Sequence, residues 1–535
     1  MSRLAGTELE RILQNHKLWL ESAETQGERA DLSNAELNGV DLAGVNLTDA
    51  AMENTRFEDA NLQGVKLTGA DLSGAHLAHA NLEQADFTEA RLDRTDFSEA
   101  RLAGACFTDA RLNGARFAGA DLSGADFRRV VFTGADFAQA ILRNALCQRG
   151  NFRRACFVKA NLAGANFENA DLRAADLSGA TLRQASFSRA NLAGVCLLKA
   201  DLINADFAGA YFEGAELQGV NFTGALLEWA NFFRADLSNA RFVDGRLNGA
   251  NFFDANLSGA ELAGADLTGA NFFRAELSRA DFEDAVLQGA NFEDASLENA
   301  YCYGANLHQA CMNEADLTHA NFETADLHAA DLTEACLRHA NLEAAVLVDA
   351  SLRGADLAQA NLKGSNLGSA DLRGANFEHT NVEAVKYNRW ARYRGIRVAT
   401  CYGSPLFKRF AEDQEYIEEF RSIPWRKPLY VLWSAFSDCG RSLLLWLIWS
   451  VLVAVGFGHV FHSLGPQAFS LNPGLPFHLS TMVYFSVVTF TTLGFGDTYP
   501  TTPVAARWVI AEVVVGYVML GGLVSILATK IARRS

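Results

Sequence analysis

Ala30-Asp31-Leu32-Ser33-Asn34 opens a stretch in which a small residue falls at nearly every position divisible by five. Leu or Phe follows two places later: Leu32, Leu37, Leu42, Leu47, Met52, Phe57 and Leu62 early, Leu352, Leu357, Leu362, Leu367, Leu372 and Phe377 late. No insertion breaks this register from residue 30 to about 385. An α-helix, turning every ~3.6 residues, would let every fifth residue drift around its surface. A flat strand of period two would reverse face at each step of five. A closed coil with four sides of five residues places both the small and the large residue inward.

The number of sides is legible separately. Phe212, Phe232, Phe252, Phe272 and Phe292 recur at twenty, as do Leu217, Leu237, Leu257 and Leu277. The triplets Asn231-Phe232-Phe233, Asn251-Phe252-Phe253 and Asn271-Phe272-Phe273 repeat at the same spacing, which extends the period to an outward position. Each Phe is expected to stack on the one a coil below, giving roughly eighteen coils and a rod on the order of 85 Å long. Gly39, Gly44, Gly64 and Gly69 stand where the corners need a permissive backbone. Phe233, Phe253 and Phe273 form an outer ladder. It is either a local stack facing water or a contact with another rod or the connector.

This pattern, A(D/N)Lxx at high copy number, resembles the pentapeptide-repeat family. The resemblance covers about two-thirds of the chain and implies a right-handed quadrilateral β-helix. Some members of that family resemble duplex DNA in shape and charge and bind topoisomerases. The acidity here permits that role, but a spacer would have the same length and charge, and no nucleic-acid partner is expected.

Residues 1–29 are expected to form a helical cap on the first coil, covering backbone groups that an open end would expose. Thr7 is the expected N-cap, with Glu10 three places on. At the other end the repeat decays after Val385, and residues 386–440 read as a connector. Ser404-Pro405 should start a helix through Phe407, Phe410, Ile417 and Phe420 that stops before Pro424. Arg389, Arg392, Arg394 and Arg397 form either a solvated face or a site for an acidic partner or lipid. Leu429 to Phe436 suits a short helix at a membrane interface.

Charge is unevenly spread. Residues 421–535 carry eight basic and three acidic residues, +5, which leaves −22 of the total −17 on residues 1–420. Such an acidic portion argues against binding nucleic acid through its phosphates. Nine cysteines include no CxxC pair and read as free thiols in a reducing cytosol. The amino terminus, with acids and no continuous apolar run, does not read as a cleaved signal peptide.

Residues 441–535 form the last region. Leu443–Phe461 and about Trp508–Ala528 are long and apolar enough to cross a bilayer, and Glu512 is the one acid in the second. Arg426, Lys427 and Arg441 flank the first span and Lys530, Arg533 and Arg534 follow the second, so both termini are expected on the cytoplasmic side. Ser480–Thr491 is apolar but too short to cross, and reads as a re-entrant helix aimed at Thr492. Then comes Thr491-Thr492-Leu493-Gly494-Phe495-Gly496-Asp497. Gly494 and Gly496 can adopt dihedrals that turn successive carbonyls one way. Carbonyl oxygens replace the water around a cation without a fixed charge, and four copies must meet on an axis to surround it.

Thr492, Leu493, Gly494, Phe495, Gly496 and Asp497 resemble the filter of two-transmembrane bacterial potassium channels, and Thr491, Tyr499 and Pro500 fit as well. That resemblance covers about residues 440–530. It implies a two-helix, homotetrameric pore of the inner or plasma membrane, with potassium held at the carbonyls of Thr492, Leu493, Gly494 and Phe495. Potassium is then cargo, with no cofactor. Gly516 matches the usual hinge position, although a helix glycine is also often a packing contact.

Two departures stand out. Val488 occupies the place of a pore-helix Glu that pairs with the Asp after the filter in many relatives, so Asp497 needs another partner. Leu493 replaces the usual Val or Ile. Glu512, a carboxyl at membrane depth, is expected to bond the pore helix through Thr489 or to be protonated, in a structural or a pH-sensing role. No arginine-rich apolar segment, nucleotide loop or catalytic constellation is present, which argues against voltage sensing and against an enzyme. Three functions therefore stand: a potassium channel with a regulatory or scaffolding cytosolic rod that has an unknown protein partner, a weakly selective cation channel, and a membrane-anchored binding scaffold with a non-conducting pore.

Overall fold

The computed structural model describes residues 2–3, 6–440, 442–491, 493–494 and 496–532. The chain divides into two compact units, residues 1–414 and 415–535.

In the first unit each side of the coil contributes one parallel bridge to the side a full coil later: Asp31 with Ala51, Glu36 with Arg56, Asp41 with Asn61. The offset stays at twenty through Asn366 and Lys386, so the coil has four sides of five residues. Nearly every inward Leu or Phe donates its amide to the next coil, as Phe212 does to the Asn231 carbonyl at 2.7 Å. The residue two places on turns the corner with φ near 60°, whether Gly39 (66°), Asn34 (62°) or Arg94 (62°). A left-handed non-glycine costs about 1–2 kcal/mol. Here such corner amides are satisfied by the next coil, Asn34 by the Glu53 carbonyl at 2.8 Å.

The core is a set of stacked columns. Phe212, Phe232, Phe252, Phe272 and Phe292 stack face to face at 4.7–5.0 Å. The Asn before each Phe explains why the triplet recurs. Asn251 Nδ2 donates to Asn231 Oδ1 and Asn271 Nδ2 to Asn251 Oδ1, both at 3.0 Å, while Asn231 Oδ1 also accepts the Phe233 amide. Such amide ladders tie coils together along the outside. Phe233, Phe253 and Phe273 also stack, at 5.3 and 5.4 Å. They are half-buried, and the Arg234 guanidinium lies 4.7 Å from the Phe233 ring centre, so the ladder is not a bare apolar patch. That observation favours the local stack over a rod contact.

The ladder loosens at one place. Among the described residues the amides of Leu197, Lys199, Leu202, Asn204 and Asn221 make no close hydrogen bond to a backbone carbonyl of the adjoining coil, although the bridges Cys196–Glu216 and Asp201–Asn221 persist and Leu192 and Phe207 on either side bond at 2.7 Å. Val220 stands here in a column otherwise filled by Ala180, Ala200 and Ala240, and its branched side chain adds volume between these coils. Val130, another valine in a small slot, is accompanied by a stretched 3.3 Å bond from the Val131 amide to Ala110. Leu198 and Ile203 stand 47% and 40% exposed beside the loosened edge. Amide hydrogen exchange is expected to be faster at Leu197–Asn204 than in neighbouring coils, and Val220→Ala should slow it at least tenfold. Equal protection throughout would contradict this.

Both ends of the coil are closed. Helix α1 (Gly6–Glu21) lays Leu9, Ile12 and Leu13 on the core. Strand β1 (Ser2–Arg3) pairs in parallel with β2 (Ala35–Glu36), extending the ladder backwards. The helix begins at Gly6, so Thr7 sits in its first turn and is not the N-cap. His16 is fully buried and accepts the Ala30 amide at 3.1 Å, and burial pushes its imidazole below the usual pKa. At the far end the coil runs past residue 385. Asp371 pairs with Arg392, Asn376 with Arg397 and Asn381 with Tyr402, an offset of twenty-one, so one residue is inserted. The connector therefore starts nearer residue 403 than 386. Ser404 caps α2 (Pro405–Ser422) by accepting the Phe407 amide at 3.2 Å, and Phe407 and Ala411 are buried against the last coil.

Candidate functional site

The second unit starts within α2 and continues through α3 (Lys427–Ser437), α4 (Leu443–Ser463), β3 (Phe469–Leu471), α5 (Leu479–Phe490), β4 (Thr498–Pro500) and α6 (Pro503–Ala532). Ser442 caps α4 by accepting the Leu445 amide at 3.0 Å. At 21 residues, α4 is about 31 Å long, enough for a hydrocarbon core of about 30 Å. The apolar part of α6, Pro503–Ala528, is longer still. Helix α5, with 12 residues, is too short to cross and packs against both others.

Small residues allow that packing. A Cβ on Gly458 of α4 would lie 2.7 Å from the Val483 Cα, and one on Gly516 of α6 would lie 2.5 Å from the Phe490 carbonyl oxygen. Gly516 thus holds the backbone at the end of α5 against α6. Phe461, Phe469, Met482, Phe485 and Ala505 close one end of this unit, and Ala454, Phe490 and Met519, with Trp446 and Trp449 against them, fill the other.

Glu512 is fully buried and meets Ser486 of α5, whose hydroxyl also lies 2.5 Å from the Ala454 carbonyl of α4. The partner is Ser486, not Thr489. Ser486 lies on the buried face with Met482 and Phe490, whereas Thr489 is rotated partly off it. One hydroxyl proton faces two acceptors, so the contacts are all satisfied when Glu512 carries a proton and donates to Ser486. Glu512 Oε2 has no partner among the described residues, which fits a neutral acid better than a carboxylate.

Beyond α5, the Thr491 hydroxyl donates to the Val487 carbonyl at 2.7 Å and the Leu493 amide to the Val488 carbonyl at 3.0 Å. Gly494 and Gly496 have φ of 49° and 72°, left-handed values that suit glycine. Thr492 and Phe495 lie outside the described residues, as do Arg441, Arg533 and Arg534, and the Lys530 side chain is likewise not described. Asp497 lies within electrostatic reach of the Tyr484 hydroxyl of α5, and its carbonyl accepts the Asn472 amide at 2.8 Å. Val488 is buried where the relatives' acid would stand.

The antiparallel pair of β3 and β4, with Ser470 opposite Tyr499, then ties the segment after Asp497 to the α4–α5 loop. Sequence reasoning missed this pair because three alternating residues carry too little signal. His459 Nδ1 lies 2.9 Å from the Val455 carbonyl and His462 stacks on Phe477 at 5.2 Å.

Comparisons with known proteins agree with this division. The family model described as "Pentapeptide repeats" matches residues 28–64 and, in overlapping segments, 131–386, and "Pentapeptide repeat region" matches 64–137. The family model described as "Ion channel" matches residues 447–533. No curated protein matches. Similar solved structures include the plasmid-mediated fluoroquinolone resistance protein QnrB1, at 21% identity over 34% of this chain and 91% of that one, with a TM-score of 0.31. HetL, a pentapeptide repeat protein involved in heterocyst differentiation regulation from the cyanobacterium Nostoc sp. strain PCC 7120, matches at 27% identity over 57% and 97%, with a TM-score of 0.20. A pentapeptide repeat protein from the thylakoid lumen of Arabidopsis thaliana matches at 32% over 20% and 67%, with a TM-score of 0.10. This chain belongs to the pentapeptide-repeat family and joins its repeat coil to a carboxyl-terminal ion-channel domain.

Proposed function

We propose that four copies of the chain form a potassium-selective channel with the filter Thr492–Gly496 on the common axis. The observation that carries this reading is the left-handed backbone at Gly494 and Gly496, suspended between the end of α5 and β4. Alternating left-handed glycines turn successive carbonyls toward one side, and a ring of such carbonyls replaces a cation's hydration shell. Helix α5 is then re-entrant. Glu512, held by Ser486, and Asp497, beside Tyr484, then stand behind the filter. Positive flanks support a cytosolic position for both termini, and for the repeat coil as a regulatory or scaffolding domain.

Purified protein in liposomes should pass potassium faster than sodium, and Gly494→Ala should abolish the flux. Equal potassium and sodium flux would favour the weakly selective reading, to which the exchange of the relatives' acid for Val488 lends support. No flux of either ion would leave the scaffold reading.

A further inference from the structure

The repeat coil pairs many of its charges from one turn to the next. Arg129 meets Asp109, Arg246 meets Glu228 and Lys363 meets Glu343. Two segments depart from this. Residues 137–167 hold five cations and no acid, while residues 280–337 hold twelve acids and no Lys or Arg. Among the described residues no ion pair involves either segment, although pairs flank both: Arg129–Asp109 and Arg173–Asp171 around the first, Arg274–Asp254 and Arg338–Asp356 around the second.

Both excesses appear on one wall of the coil, whose bridges run in steps of twenty from Asn151–Asp171 to Cys311–Asp331. Arg153 and Arg154 are exposed at one end, and Asp294, Glu314, Asp331 and Glu334 at the other. The phenylalanine ladder between them carries its own Arg234 and by itself calls for no partner. The unpaired charges do. Arg153 lies eighty residues before Phe233 and Glu314 eighty after Arg234, four coils each way. A second copy running the opposite way sets each end against its opposite sign, whereas a parallel copy in register sets like against like. Trp229, at the corner leading into this wall near its middle, is 74% exposed. It takes a left-handed φ of 61° with its ring over Gly249, at a corner where the coils on either side use Gly209 and Gly249. Tryptophan is the residue type most enriched among interface anchors, and the left-handed conformation is a cost that the isolated wall gives no reason to bear.

We propose that a second copy of this chain docks antiparallel on this wall, about a two-fold axis near Phe233, with Arg153 and Arg154 of each copy against Asp294, Glu314 and Asp331 of the other. Such a contact uses the same surface on both copies and closes on itself. From Asn151 to Asp331 the wall covers nine coils, about 43 Å at the spacing of adjacent strands. A contact of that length needs a width of only about 14 Å to bury the ~1,200 Å² in total that a stable interface requires. The proposal concerns the coil and stands whether or not the channel unit conducts.

Cross-linking of the full-length protein in detergent tests this. Arg153→Lys keeps the charge and supplies an amine that a carbodiimide couples to a touching carboxylate. Within one coil, position 153 and Glu314 are eight coils apart, about 38 Å, so a peptide joining them comes from two chains. Expected are links from position 153 to Asp294 or Glu314 at low salt, at least tenfold fewer in about 0.5 M salt. In the same background Arg154→Glu should cut the links at least tenfold, and adding Asp331→Arg should restore them. Trp229→Gly installs the residue that neighbouring coils use at that corner, so the coil keeps its fold while the links fall several-fold. Absence of these links at low salt would overturn the proposal, as would links that ignore salt, Arg154→Glu and Trp229→Gly. Particle mass by light scattering that keeps growing with protein concentration would mean a staggered, open contact and would also overturn it. Chains that stay unlinked yet bind decalysine would give the acidic end a foreign cationic partner in place of a second copy.

Discussion

Gly516→Ala is expected to keep the channel unit from closing properly, with flux reduced at least tenfold and a less stable assembly. The new Cβ would lie 2.5 Å from the Phe490 carbonyl oxygen and 3.3 Å from the Phe490 Cα and carbonyl carbon. All three are backbone atoms at the end of α5, and they cannot yield without displacing Thr491 and the proposed filter that follows it. Overpacking of this kind costs about 1–3 kcal/mol per subunit. Intrinsic helix propensity pulls the other way, since alanine in a helix is favoured over glycine by up to ~1 kcal/mol. The clash is the larger effect.

Gly521 supplies the control, because nothing lies within 4 Å of the point where its Cβ would stand. Gly521→Ala should be neutral or slightly stabilising. Thermal stability of the two variants by size exclusion after heating, with liposome flux alongside, checks both. A hinge without close packing would make Gly516→Ala at least as stable as wild type and alter opening alone.

Glu512→Ala should also be severe. The side chain fills a fully buried space where α4, α5 and α6 meet, and Ser486 would lose the group that satisfies its oxygen. The cavity and the lost bond together cost roughly 2–4 kcal/mol per subunit. Glu512→Gln keeps the volume and places an amide donor where the acid proton stood, so it should retain most of the stability and flux at neutral pH. Ser486→Ala should resemble Glu512→Ala in weakening the contact between α5 and α6, and the double substitution should cost less than the sum of the two singles. Thermal melts and potassium flux of the four variants measure this. If Gln proved as damaging as Ala, the acid would be acting through a charge and the neutral bridge would be wrong.

The coil was legible because one residue type does one job at every fifth position. Outward signals also survived: the Asn–Phe–Phe triplets recur because each Asn bonds the Asn of the next coil. The end of the coil was not legible. Its last turn uses Tyr393, Ile396 and Val398 as core and inserts one residue, so the multiple-of-five register vanishes while the ladder continues to Tyr402. The loosened coil at Leu197–Asn204 was equally silent, because Val220 in an alanine slot looks conservative in sequence and acts through volume. In the channel unit the three apolar helices followed from composition, as did the Ser404 cap before them. Helix α6, however, starts at Pro503, five residues before the expected Trp508, because its first turn is amphipathic rather than apolar. The partner of Glu512 did not follow, since which turn of α5 faces α6 depends on packing that no periodicity encodes.

The central claim is that carbonyls of four identical chains select potassium. Reversal potential in a planar bilayer, with potassium on one side and sodium on the other, tests it most directly. The expected result is a single conductance that reverses far toward the potassium equilibrium potential and disappears in Gly494→Ala. Reversal near zero, or the same current in the variant, would contradict it.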